Sequence, residues 1–225
     1  MADIKENLDR VYSRIEEACA RSGRQAKDIT LLAVTKTVPV ERIREIMNLG
    51  VKSLGENRVQ ELLSKYDELP DAKWHIIGHL QTNKVKSIIG KTELIHSVDS
   101  LRLAEEIGKQ SVAKGITTDI LLEVNVSGEE SKFGMNLDFV DEMIDFCTRV
   151  KGINVKGLMT MAPLGAEETE IRRIFSSLYK KYVDISTKKY DNISMEYLSM
   201  GMSNDFHIAI EEGANIVRVG RGLFQ

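Results

Sequence analysis

The sequence predicts an α/β fold, a single (β/α)8 TIM-type barrel over residues 1–225 with an extra helix at its N-terminus. Three observations predict it. Eight short apolar runs follow one another, most of them trailed by a helix-patterned segment. Eight strands close such a barrel, and 225 residues is near its usual length of about 250. The turn after the first run reads TKTVP, without the glycines that an open doubly wound sheet would favour there.

The elements justify themselves in order. Ile4, Leu8, Val11, Tyr12, Ile15, Ala18 and Cys19 recur three and four apart, one apolar helix face that stops near Gly23. ITLLAV then precedes a helical pattern over 39–49, VKSLG one over 56–66, and WHIIG one over 81–89. LIHSV leads into 100–114, DILLEVNV into 136–150, VKGLM into 167–187 and MEYLSM into 204–212, before NIVRVG closes the series. Pro39 suits a first helical turn, Ser100 and Asn136 are plausible N-caps, and Gly50 and Gly115 end their patterns.

Composition narrows the function. A formal charge of −3 argues against a nucleic-acid wrapper or a polybasic membrane binder, while leaving room for a local basic pocket. No apolar stretch approaches the ~20 residues of a spanning helix, and the acidic N-terminus lacks the apolar core of a signal peptide. Cys19 and Cys147 read as buried free thiols. A cytoplasmic protein, monomeric, is the expectation.

In barrels of this type the site forms at the C-terminal ends of the strands. Those positions carry Lys36, GENR (55–58), GHLQTNK (78–84), HSVDS (96–100), NVSGEESKFG (125–134), MTMAP (159–163), SMGMSND (199–205) and RVGRG (218–222). A strand-end lysine ordinarily snorkels to solvent. Aimed at the rim centre and partly buried, Lys36 is instead a candidate amine for a Schiff base with a carbonyl. The last two loops ask for an anion. Ser203 opens the pattern SNDFHIAIEEG, and VGRG offers backbone N–H groups beside Arg221. His75 and His79 flank Gly78 in a strand-to-loop context, which removes the shared helical face that a metal pair needs. Asn57 is read as a helix cap, with a rim contact to ligand as the second reading. Met159, Met161, Met200 and Met202 read as packing, and the KKYVDISTKKYD run as a solvated helix face. P-loop, nucleophile-elbow and Cys/His patterns are missing from the sequence. A carbonyl-trapping lysine on one side of the mouth and a phosphate cup on the other suggest pyridoxal 5′-phosphate (PLP); a sugar-phosphate aldolase would also fit.

The motifs LLAVTKTVP, GENRVQE, WHIIGHLQTNK, HSVDS, LLEVNVSGEESKFG, GLMTMAP and LSMGMSNDF…VRVGRGLF together resemble the pyridoxal phosphate homeostasis protein family, along nearly the whole chain. The resemblance implies a fold-type-III PLP barrel, similar to the N-terminal domain of alanine racemase, with PLP held as a Schiff base on Lys36. It puts the phosphate on Ser203 and the amides of Gly220 and Arg221. Arg218 corresponds to the arginine facing the pyridine nitrogen, and Ser199 and Asn57 are implied rim contacts. The family continues past Phe224 with glycine and a short tail, whereas this chain ends at Gln225. A permanently charged arginine at the ring nitrogen disfavours its protonation, so the ring stabilises a carbanion less. Racemases with this arrangement close the site with a second domain, which these residues do not encode. The expectation is a non-enzymatic PLP carrier in vitamin B6 homeostasis, yielding PLP to amines or apo PLP-dependent enzymes. The alternative is a small PLP-dependent amino-acid racemase.

Overall fold

The structure is a computed structural model that describes residues 3–129 and 133–225. Eight parallel strands close a barrel: β1 (Thr30–Val34), β2 (Ser53–Glu56), β3 (Lys73–Ile76), β4 (Leu94–Val98), β5 (Thr118–Asn125), β7 (Ile153–Met159), β8 (Ile193–Ser199) and β9 (Ile216–Val219). The pairing of β4 with β5 completes the circle. The remaining strand, β6 (Met135–Asn136), pairs parallel with the end of β5 outside the barrel.

The helices are α1 (Ile4–Ser22), α2 (Val40–Asn48), α3 (Val59–Tyr66), α4 (Val85–Ile88), α5 (Leu101–Ala113), α6 (Val140–Cys147), α7 (Glu168–Ser186), α8 (Phe206–Glu211) and α9 (Arg221–Phe224). Several are shorter than their sequence patterns. Those of α4 and α6 begin as 3-10 turns over Thr82–Lys84 and Leu137–Phe139. Ser100 and Asn136 occupy N-cap positions, yet neither side chain makes a capping bond.

Two apolar layers follow from the strand period of two. Leu32, Ile77, Leu94, Leu121, Met159 and Ile216 fill the barrel interior. The outward residues Leu54, Trp74 and Ile76 pack with helix residues such as Ile43, Leu62, Phe175 and Phe206. Gly55 faces inward, where an added Cβ would lie 2.3 Å from Leu32 Cδ2, so the interior layer closes over a missing side chain.

The extra helix is tied to the last loops. Asp3 caps α1 by accepting from the N–H groups of Lys5 (2.8 Å) and Glu6 (3.4 Å), and Gly23 ends it in the left-handed region. Tyr12 is exposed, in contrast to the pattern's expectation, and Asn7 is buried instead. The Asn7 side-chain amide donates to the carbonyls of Leu223 (3.1 Å) and Gln225 (3.3 Å), so α1 grips the far end of the chain.

Candidate functional site

A pocket of about 630 Å³ opens at the C-terminal ends of the strands, well within the size range of cofactor sites. Lys36, Asn57, Ser203, Arg218, Gly220 and Arg221 all line it. Ser199 does not; it is fully buried beneath.

Lys36 stands two residues beyond β1, in a turn braced from below. Its neighbour Thr37 holds the only positive φ of a non-glycine residue among those described, +60°. The Thr37 N–H donates to Glu61 Oε2 of α3 at 3.1 Å. Thr35 donates its hydroxyl to Glu56 Oε1 (2.7 Å), and Lys65 Nζ of α3 donates both to that oxygen and to the Thr35 carbonyl, at 2.8 Å each. This buried ion pair on the outer barrel face fixes the backbone from which Lys36 departs. Burial outweighs the two hydrogen bonds to Glu56 and pushes its carboxyl up. Lys36 itself is exposed, so the partial burial expected around it is not there. Its ammonium has no hydrogen-bond or ion-pair partner among the described residues.

The loops after β8 and β9 form the second feature. The Ser203 hydroxyl accepts weakly from the N–H groups of Gly220 (3.4 Å) and Gly222 (3.5 Å). Those long bonds show two amides and a hydroxyl turned toward a common point. Arg14 of α1 reaches the Ser203 carbonyl at 3.4 Å and lies 4.5 Å over the Phe206 ring, which places a cation behind the loop. Ser203 does not open the helix: α8 begins at Phe206 with Asp205 at its N-cap, and Asp205 Oδ1 accepts from the Met202 N–H. Because β1 and β9 are paired, Lys36 and this cup stand on neighbouring strands and not across the mouth from each other.

The floor belongs to Arg218. Its Nη1 donates to Ser199 Oγ at 2.6 Å and its Nη2 to the Thr160 carbonyl at 2.8 Å. Burial pulls this guanidinium down to about 10, with Asp205 and Glu123 acting in the opposite sense, so it is a cation at neutral pH. Beside it Glu123, at the end of β5, is 3% exposed and lines the pocket. One of its oxygens, Oε2, is buried without a partner. Burial and the Asp99 carboxylate lift Glu123 to about 7, against the pull of Arg218.

At the mouth, His79 stacks on Phe133 with ring centroids 4.2 Å apart and lies 3.4 Å from Asp99 Oδ2. Asn57 lies in the loop after β2 and caps no helix; Arg58 stands at the N-cap of α3. Gly78 lets the β3 loop approach Asn57, since a Cβ there would sit 2.5 Å from the Asn57 carbonyl oxygen. Met161 and Met202 line the pocket, whereas Met159 and Met200 are buried in the core. His75 points into the barrel and away from His79.

Residues 7–225 match the family described as alanine racemase, N-terminal domain. A pyridoxal phosphate homeostasis protein of Aquifex aeolicus (strain VF5) is 47% identical over 221 residues, which cover 97% of this chain and 96% of that one. The chain belongs to the pyridoxal phosphate homeostasis protein family. A second member of the family, from Pseudomonas aeruginosa, is 37% identical over 100% of this chain and 96% of its own. Among solved structures, PipY of Synechococcus elongatus PCC7942 with PLP bound matches with a TM-score of 0.82 at 32% identity, over 94% of this chain and 100% of that one. Alanine racemase of Clostridium difficile 630 shares the barrel fold, with a TM-score of 0.75 at 16% identity, over 98% of this chain and 56% of the racemase. No helix among the described residues is long and apolar enough to cross a membrane.

Proposed function

We propose that this chain binds pyridoxal 5′-phosphate in the barrel mouth and serves its homeostasis in the cytoplasm, with Lys36 as the amine that holds the aldehyde covalently. The observation that carries this reading is the pairing of β1 with β9, which sets an unpartnered lysine amine beside a serine–amide cup in one pocket. The aldehyde and phosphomethyl groups of PLP sit on adjacent ring carbons, so neighbouring strands suit them better than opposite walls. Ser203 and the amides of Gly220 and Arg221 would hold the phosphate, backed by Arg14. Arg218 would face the ring nitrogen, with Asn57 at the rim. Bound there, the cofactor would supply an electrophilic carbonyl and a ring able to take up electron density.

The reading is of a carrier without substantial turnover, acting as a monomer and yielding PLP to amines or apo-enzymes. Relatives named for homeostasis support it, as does an arginine at the floor, which leaves a facing ring nitrogen unprotonated. The racemase reading draws on Glu123, a buried carboxyl near 7 suited to proton transfer.

Borohydride reduction of the PLP-loaded protein followed by peptide mapping is expected to place the adduct on Lys36, and Lys36→Ala to abolish it. An adduct elsewhere, with colour surviving in Lys36→Ala, sinks the assignment. Incubation with L-alanine or L-serine in deuterated water separates carrier from enzyme. Rapid Cα exchange that is lost in Glu123→Gln would put the racemase first.

A further inference from the structure

From Arg218 at the pocket floor, a row of polar side chains runs down into the barrel interior. Ser199 Oγ, which accepts from Arg218, lies 3.0 Å from His96 Nδ1, and His96 Nε2 lies 3.0 Å from His75 Nδ1. The four side chains come from β9, β8, β4 and β3, so the row crosses the barrel. Both imidazoles, Ser199 and Arg218 are buried.

We propose that Ser199 and His96, backed by His75, are positioning residues that fix the Arg218 guanidinium toward the pocket through a relay of one hydrogen-bond direction. Arginine only donates, so Ser199 Oγ is its acceptor. The serine proton then has one neighbour to go to, His96 Nδ1. That makes His96 the Nε2–H tautomer, which donates to His75 Nδ1 and makes His75 the Nε2–H tautomer as well. The relay leaves a single orphan, His75 Nε2, which has no partner among the described residues. The reversed direction would strand two groups, the serine proton and His75 Nε2.

Arg218 has no ion-pair partner within 4 Å among the described residues, so its orientation rests on Ser199 and the Thr160 carbonyl alone. Around the relay stand Lys73 near His75, and Glu123 and Asp205 near Arg218. Burial and these cations hold both imidazoles neutral. A relay whose donors all point away from the pocket cannot pass a proton to a ligand, and the guanidinium, at about 10, keeps its own at neutral pH. Its use for a ring nitrogen rests on the PLP reading; its direction and its grip on Arg218 do not.

The test therefore begins with ligand-free protein. Long-range 15N–1H spectra are expected to show both imidazoles as neutral Nε2–H tautomers from pH 5 to 8; an Nδ1–H on His96, or titration of either ring in that range, overturns the relay. Rotation of the Arg218 guanidinium, followed by NMR, should be about tenfold faster in Ser199→Ala and His96→Phe and restored in Ser199→Thr. Unchanged rotation in a variant that unfolds like wild type overturns the positioning role, and two variants guard against one failing to fold. With PLP added, the absorption band is expected to shift in Ser199→Ala but not in Ser199→Thr. Loss of the NMR effects condemns the relay, whereas failure of wild type to take up PLP condemns only the functional reading.

Discussion

The two faces of the barrel wall solve the burial of polar groups in opposite ways. Outside, between β2 and α3, a carboxylate and an ammonium meet directly, Glu56 Oε1 to Lys65 Nζ at 2.8 Å. Inside, Arg218 is held by neutral acceptors and a chain of neutral imidazoles, with Glu123 near it but unpaired. The outer pair neutralises itself and spends its charge on holding the Lys36 turn. The inner set leaves a cation and a titratable acid turned to the pocket. The difference teaches that the wall separates scaffold electrostatics from ligand electrostatics by the inward and outward alternation of its strands.

The largest expected effect breaks the outer pair. Lys65→Met leaves the buried Glu56 carboxyl with only the Thr35 hydroxyl and no cation, and should cost about 3–5 kcal/mol, read by urea unfolding at neutral pH. The double change Glu56→Leu with Lys65→Met should recover most of that loss. Equal losses in single and double variants would show that the outer group is packing and not a charge pair.

Next comes Glu123. Its folded value of about 7 lies above the ordinary 4.5, so the native state keeps a proton that the unfolded chain releases between those values. Stability contributed by this group is full below about 4.5 and is lost as pH rises through 7. The gap of roughly 2.5 units corresponds to about 3.5 kcal/mol, since one unit is about 1.4 kcal/mol. Glu123→Gln should therefore stabilise the protein by up to about 3.5 kcal/mol at pH 8 and change little at pH 4. No gain at pH 8 would place Glu123 in a site that already accommodates its charge.

The histidines pull the other way. His75 is lowered to about 3 and His96 well below its ordinary value, both chiefly by burial. The unfolded chain binds those protons first, so stability falls as pH drops below about 6.5. Between pH 6 and 5 His75 and His96 act against Glu123, so these three groups together contribute a loss near 1.4 kcal/mol per unit. In Glu123→Gln that slope should about double. An unchanged slope would mean that the inner groups do not titrate independently.

Ser203 belongs to neither buried set, and its two long hydrogen bonds carry little. Ser203→Ala should leave thermal stability within about 0.5 kcal/mol of wild type. The same change should weaken PLP by roughly tenfold to a hundredfold, one charge-assisted bond being worth about 1.5–3 kcal/mol. Equal binding of pyridoxal and its phosphate by wild type would show the cup to be only a turn.

The alternation of runs made the barrel legible, because parallel strands covered on both faces read as short apolar stretches between helical periods. That Lys36, Gly220 and Arg221 would line the mouth was legible, because strand ends are where such a fold opens its pocket. Glu123 was not, because it stands inside ILLEVN and its neighbours on both sides are apolar. Its parity with the inward Leu121 was the available signal. HSVDS was placed at the rim as a strand end and Ser199 was a rim contact implied by the resemblance, yet parity with Leu94 and Tyr197 turns His96 and Ser199 into the barrel. Helix starts were misread where a side chain two residues on, as Asp205 for Ser203, takes over the turn. The interior of a barrel is decided by a partner strand far away in sequence, which no local pattern contains.

Helix α1 has a consequence in time. Asn7 meets the Leu223 carbonyl across 216 residues of sequence, and Arg14 meets that of Ser203 across 189. On a ribosome adding about 5–20 residues per second, the apolar face of α1 waits on the order of 10–40 seconds for its partners to be made. Closing so long a loop also comes late in folding, since its entropy is spent before the contact returns anything. The serine–amide cup is thus among the last parts of the described molecule to form. On the proposed reading, a nascent chain would expose Lys36 long before Ser203 and the Gly220 amide are in place to hold a phosphate.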